Sequence, residues 1–246
     1  MRIGVIGTGN IGRVLIERMR SVGHAVTMTN ASGAESIRDF ATKTGALAVA
    51  IEEIGPDVDI LFLVIPEKNI PHLPKAIFQN IKPSTAIVDV GNYYPVRDGQ
   101  IAEIDKGLTE SEWVSKQIGH PVVKAFNSIS SASLISAART AGASDRVALP
   151  ISGEVKRSKE VVANLIDQLG FDSFDAGSLS ESWRQQPGSP VYCTNLALGE
   201  LRAWLTKVNR KTLPENREKG LQIFSTLPAG FTPHDQVKAY REAFLK

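Results

Sequence analysis

The chain opens with a short apolar run, Arg2-Ile-Gly-Val-Ile6, that passes directly into Gly7-Thr-Gly9-Asn-Ile-Gly12 and then into Arg13-Val-Leu-Ile-Glu-Arg-Met19. Five apolar-rich residues are too few for a helix and read as a buried strand, whereas the apolar residues after Gly12 recur at helical spacing. A strand, a glycine-rich turn and a helix in that order open a βαβ unit, and few folds accommodate them. Gly7 permits the tight turn, Gly9 lets the backbone approach a pyrophosphate, and Gly12 lets the helix pack closely on the strand. The backbone N–H groups of Thr8, Asn10 and Ile11 then sit at a helix N-terminus, where the dipole favours an anion. In this context the motif predicts dinucleotide binding.

The rest of the chain repeats the alternation. Ala25–Thr29, Ile60–Ile65, Ala86–Val90 and Val122–Ala125 read as further buried strands. Asn10–Val22, Ala34–Thr42 and Lys68–Asn80 read as helices between them, the last interrupted by Pro71 and Pro74. Arg146–Pro150 and Phe171–Phe174 flank a helix predicted over Glu154–Leu169, with Val155, Val161, Val162, Leu165 and Ile166 on its apolar stripe. After Gly177 the strand signal stops. Leu198, Leu201, Leu205 and Val208 in Asn195–Val208, and Val237, Tyr240 and Phe244 in His234–Leu245, have helical spacing, while Pro187, Pro190, Pro214, Pro228 and Pro233 mark loops. The expected fold is α/β: a Rossmann-type, doubly wound, mostly parallel sheet over residues 1–177, with a small helical C-terminal part over 178–246.

Composition narrows the class. With 246 residues and 42% hydrophobic content the chain can bury a sizeable core. A net charge of +2 fits neither a nucleic-acid-binding surface nor a disordered tail. Residues 178–246 hold ten Lys or Arg against six Asp or Glu, a surplus that suits a solvated helix face better than an anion site. The single Cys193 excludes an internal disulfide, and the four histidines are too dispersed for a metal cluster, so no metal is expected. Gly7, Gly9 and Gly12 break any signal-peptide-like core, and no apolar run is long enough to span a bilayer. The expectation is a cytoplasmic protein without membrane or nucleic-acid partners.

About 20 residues past the glycines, a site for NAD carries an Asp or Glu on the ribose 2′-OH. This chain has Thr29-Asn30-Ala31-Ser32-Gly33 instead. No carboxylate repels a 2′-phosphate here, and Thr29, Asn30 and Ser32 offer small neutral partners, so NADP(H) is permitted. The nearest cation along the chain is Arg38, for which a phosphate contact and an exposed helix position are equal expectations.

At this point the sequence resembles a family, the coenzyme F420-dependent NADP oxidoreductases, together with the related reductase domain of the STEAP metalloreductases. The resemblance rests on IGVIGTGNIG (3–12), VTMTNASGAES (26–36), IVDVGN (87–92), VVKAFNSI (122–129), LPISGE (149–154) and LGFDSFDAGSL (169–179), in that order. Beyond Leu179 it fades. Where the family commonly has Arg beside an Asn-Ser pair, Ser32 stands here, which bears on NADP affinity rather than on the fold. The resemblance implies hydride transfer between nicotinamide and a deazaflavin, flavin or similar planar ring such as coenzyme F420, and it implies a homodimer. Such a transfer asks mainly for orientation, and no catalytic acid or base stands out in the sequence.

Strand ends supply the remaining candidates. Ile65 and Pro66 would lie against the ribose or nicotinamide, although Pro66 equally suits the start of a helix. Asn92 would donate to the nicotinamide ribose or cap a turn, the resemblance favouring the pocket. Lys124 interrupts a buried run, and a structural salt bridge is its first expectation. Asn127 is the leading candidate for orienting the nicotinamide, with Ser128 and Ser130 beside the second ring. Trp183 and Arg184 are candidate walls of the acceptor pocket, with a core role for Trp183 at least as plausible. Two alternatives stay open. One is an imine or keto-acid reductase like the pyrroline-carboxylate reductases, for whose dimer domain some 70 C-terminal residues look short. The other is a non-catalytic NADP-binding sensor.

Overall fold

The computed structural model describes residues 1–246. Eight strands, β1 (Arg2–Ile6), β2 (Ala25–Thr29), β3 (Leu47–Ala48), β4 (Ile60–Leu63), β5 (Ala86–Asp89), β6 (Val123–Lys124), β7 (Ala148–Ser152) and β8 (Asp172–Gly177), form one sheet in the order 3-2-1-4-5-6-7-8. The order reverses direction between β1 and β4, which places a crevice at the carboxyl ends of those strands.

Alternation along each strand explains why both faces are covered. Ile60 and Phe62 of β4 and Val88 of β5 enter one core, while Leu61, Leu63 and Ile87 enter the other. The first core is closed by the Asn10–Ser21 helix through Val14, Leu15 and Met19 and by the Lys156–Gln168 helix through Val162, Leu165 and Ile166. The second is closed by Trp113 and Val114 of the Glu110–Ile118 helix and by Ile77 and Phe78. No helix is long and apolar enough to cross a membrane.

Several elements depart from the sequence reading. β3 has two residues and no periodicity to betray it. β6 and β7 pair antiparallel, at Lys124 and Ser152, so β7 and β8 run against the other six strands. Val155 lies at the N-cap of its helix, 40% exposed, and leaves the apolar stripe. Pro214 and Pro233 sit in the first turns of helices Leu213–Thr226 and Pro233–Phe244, where the missing N–H costs nothing.

The part after Gly177 is helical, as expected, and is tied closely to the sheet. Leu179 enters the second core, and the buried Gln185 amide donates to the carbonyls of Lys124 and Pro150 at 3.3 and 3.2 Å. Val191, Leu196, Leu201 and Leu205 pack with Ala148 of β7.

Candidate functional site

The glycine loop is shaped by steric necessity. A Cβ on Gly7 would lie 2.2 Å from the Val64 carbonyl oxygen, and its φ of +113° is open to glycine alone; a Cβ on Gly12 would lie 2.1 Å from the Gly7 carbonyl oxygen. A Cβ on Gly9 would meet nothing within 4 Å. Two glycines thus lock strand to helix and the third leaves an open cradle at a helix N-terminus that no side chain caps. That is the geometry a pyrophosphate needs.

At the end of β2, Thr29 is fully buried and its carbonyl accepts from Gly7 N at 2.9 Å, so it holds the loop rather than facing solvent. Asn30 is the hinge of the region. Its Nδ2 donates to Thr8 Oγ1 at 3.1 Å, and its Oδ1 accepts from Ser32 N and Ser36 Oγ. Ser32 is exposed, and Arg38 is paired with Glu35.

Asn10, Ile11, Ile65, Pro66, Asn92 and Asn127 line one cavity of about 440 Å³, so the start of the helix and the ends of β4, β5 and β6 share a single space. Its far wall comes from segments that sequence reasoning missed: Tyr94 and Arg97 after β5, Tyr192 and Cys193 after the Leu179–Gln185 3-10 turn, and Phe224, Gln236 and Tyr240 from the last two helices. Two lining residues hold left-handed backbone, Phe126 at φ +61° and Cys193 at φ +57°, each costing about 1–3 kcal/mol that surrounding contacts must offset. Phe126 is locked by full burial against Phe62, with ring centroids 5.7 Å apart, and Cys193 N donates to Ser128 O at 2.8 Å.

Tyr94 and Tyr192 share a 2.9 Å hydrogen bond between phenol oxygens. Burial raises the pKa of both, so both stay neutral, and two phenols sharing one bond leave one O–H free for a ligand. Tyr240 spends its proton on the Gly220 carbonyl at 3.0 Å. Burial pushes the Cys193 thiol up to about 12, which removes it as a nucleophile.

The amide of Asn127 is fully engaged. Nδ2 donates to Asn92 Oδ1 at 3.0 Å and to the Gln185 carbonyl at 2.8 Å, and Oδ1 accepts from Gln185 Nε2 at 3.0 Å. Asn92 gives one proton to the Asn127 carbonyl at 3.1 Å and keeps another. The free donor at this edge is therefore Asn92, with Asn127 as its support. Ser130 lines the cavity and caps the Ser131–Ser136 helix, whereas Ser128 is buried beneath it. Trp183 and Arg184 lie outside the cavity lining; Arg184 pairs with Glu181, and the Trp183 ring lies under the Arg184 and Arg210 guanidinium groups.

Beneath the cavity floor lies a charged cluster. Lys124, fully buried, donates to Asp89 Oδ2 at 3.1 Å and to the Gly91 carbonyl at 2.6 Å, with Glu110 at 3.6 Å. Burial opposes the ammonium, but Asp89, Glu110 and Glu67 together raise its pKa. Glu67 abuts Gly91, both its oxygens buried and unpartnered, and burial followed by the Asp89 charge holds its pKa well above the carboxylate range. For Glu110 the pKa is raised to about 7, again chiefly by burial. The native state thus keeps a proton that the unfolded chain releases near pH 4.5, so stability falls as pH rises from there to about 7. Glu110→Gln should therefore gain about 1–3 kcal/mol over wild type between pH 5 and pH 8 in urea melts. Equal differences at the two pH values would contradict this.

Residues 2–93 match the family of coenzyme F420-dependent NADP oxidoreductases. That match spans the first strand to the loop after β5, the segment that carries the glycine cradle. Its match to the Escherichia coli K12 protein YjhV is 40% identical over 52 residues, 21% of this chain, and spans under two fifths (38%) of that relative's length. Among solved structures, the hypothetical protein SMa0349 of Sinorhizobium meliloti superposes with a TM-score of 0.68 at 28% identity, covering 80% of this chain and 95% of that one. A candidate F420-dependent NADP reductase from Arthrobacter sp. FB24 has a TM-score of 0.63 at 19% identity over 74% of this chain and 87% of its own. The 1-pyrroline-5-carboxylate reductase of Streptococcus pyogenes, at 0.53 and 16%, covers 97% of this chain and 84% of its own. The last two show the shared fold, a Rossmann-type sheet with a helical C-terminal part.

Proposed function

We propose that the chain binds NADP(H) in the Gly7–Gly12 cradle and transfers hydride between its nicotinamide and a planar deazaflavin- or flavin-like acceptor, coenzyme F420 being the leading candidate. The observation that carries this reading is the continuity of the open cradle at Gly9 with a cavity walled by Phe126, Tyr94, Tyr192, Phe224 and Tyr240. Aromatic faces on that scale suit a flat ring, which they contact without polar specificity.

The dinucleotide supplies the hydride when bound. The chain does the rest by placement. The N–H groups of Thr8, Asn10 and Ile11 receive the pyrophosphate, Ile65 and Pro66 form an apolar bed, and Asn92, held by Asn127 and Gln185, has a proton for the nicotinamide edge. The Tyr94–Tyr192 pair offers one neutral O–H to an acceptor oxygen or nitrogen, which stabilises charge developing there without requiring an ionised group.

Anaerobic mixing with coenzyme F420, and in parallel with FMN, using NADPH and then NADH, tests the reading. We expect the acceptor's visible absorbance to bleach with NADPH. Binding of NADPH without bleaching of either acceptor would overturn it. A second reading, reduction of a cyclic imine, is favoured by one observation: the pyrroline-carboxylate reductase fold covers 97% of this chain, C-terminal helices included. NADPH oxidation by 1-pyrroline-5-carboxylate, with no flavin or deazaflavin turnover, would select it.

A further inference from the structure

The loop after β2 has neither the acid that reads a 2′-hydroxyl nor a free cation that would read a 2′-phosphate, since Arg38 is paired with Glu35 and Asn30, bonded to Thr8, Ser32 and Ser36, is neutral. A cation does reach this corner from the other side. Arg13, in the first turn of the Asn10–Ser21 helix, donates from Nε to the Thr8 carbonyl at 3.1 Å, and its guanidinium lies 4.5 Å from the centroid of the Phe40 ring. Thr8 is therefore grasped from both sides, at its carbonyl by Arg13 and at its hydroxyl by Asn30. The exposed Arg13 side chain meets no carboxylate, and both its terminal nitrogens remain available.

We propose that Arg13 is the residue that selects NADP(H) over NAD(H), reading the 2′-phosphate from the helix side of the glycine loop in place of an arginine at Ser32. The ribose of a dinucleotide in this cradle lies at the carboxyl end of β2, beside Thr8 and Asn30. A guanidinium stacked on an aromatic ring and anchored at Nε is pre-oriented, so its two outer nitrogens face a dianion without the ordering cost a free side chain would incur. The Ser32 hydroxyl completes the site as a neutral donor, while Ser36 Oγ spends its proton on Asn30 Oδ1 and the Gly33 carbonyl.

This inference rests on the proposed binding of NADP(H), and the test separates the two. Binding of NADPH, NADH and 2′-AMP to the full chain is measured by calorimetry for wild type, Arg13→Gln and Arg13→Lys, with a thermal melt of each. The proposal expects Arg13→Gln to weaken NADPH and 2′-AMP by about 10-fold or more, as loss of a charge-assisted phosphate contact should. NADH should change less than about 2-fold on the same reasoning, and Arg13→Lys should restore part of the loss. Equal weakening of NADPH and NADH, or no change in either, would overturn the role of Arg13 while leaving the cofactor reading intact. Failure of the wild type to bind either dinucleotide would instead sink the reading on which it rests.

Discussion

Gly9→Ala and Gly12→Ala should fail in opposite ways. A methyl at Gly9 meets nothing within 4 Å, and the residue's φ of −72° is ordinary for alanine, so folding stability should stay within about 0.5 kcal/mol of wild type. The same methyl occupies the space through which a pyrophosphate must approach the helix. Overpacking of that kind costs about 1–3 kcal/mol, which lowers NADPH affinity by about 10- to 100-fold. At Gly12 the methyl collides with the Gly7 carbonyl oxygen at 2.1 Å, a backbone atom that cannot rotate away. The helix must lift from β1, at a cost of about 2–4 kcal/mol. Denaturant melts and NADPH titrations of both variants check this. Loss of stability at Gly9, or intact stability at Gly12, would contradict the assignment of one glycine to the ligand and the other to packing.

The second large effect is expected at Lys124. Lys124→Met keeps much of the side-chain volume but leaves Asp89, Glu110 and Glu67 buried together with no cation among them. Breaking a buried pair from one side costs about 3–5 kcal/mol, a large share of the 5–15 kcal/mol typical of a whole domain. The cost should be smaller at pH 5.5 than at pH 8, because the carboxyls can take up protons at the lower pH. The Gly91 carbonyl also loses its 2.6 Å donor, so the cavity floor between Gly91 and Asn92 should loosen. A cost below about 1 kcal/mol at both pH values would show that the cluster is not the structural base of the site.

Much of the nucleotide side was legible before any coordinates. Strand, glycine loop and helix are consecutive in the chain, and the atoms that would meet a Cβ at Gly7 or Gly12 belong to the loop itself or to the residues just after β4. Lys124 stood out as an ion in an apolar run, and a salt bridge was its first expectation; its partner Asp89 is 35 residues away, so only the sheet register could name it. Asn127 was recognisable as a cavity residue, but no sequence rule could reveal that Gln185, 58 residues on, uses up its amide.

The acceptor side was not legible, for a physical reason. Tyr94 and Tyr192 are 98 residues apart and meet only because the C-terminal segment folds back over the carboxyl ends of the strands. Helical periodicity in His234–Leu245 marks Tyr240 as inward-facing without saying that it faces a cavity rather than a core. Two helix starts carry local signals in the sequence. Thr109-Glu-Ser-Glu112 forms a capping box that starts the Glu110–Ile118 helix, and proline at the opening of Leu213–Thr226 fits a helix start as well as a loop.

The measurement that tests the central claim most directly is a single anaerobic turnover with NADPH deuterated at the transferable position and coenzyme F420 as acceptor, followed by mass analysis of the reduced acceptor. If cradle and aromatic cavity form one site that brings the two rings face to face, the deuterium appears on the acceptor carbon. Unlabelled product, or no reduction with both molecules bound, would contradict it.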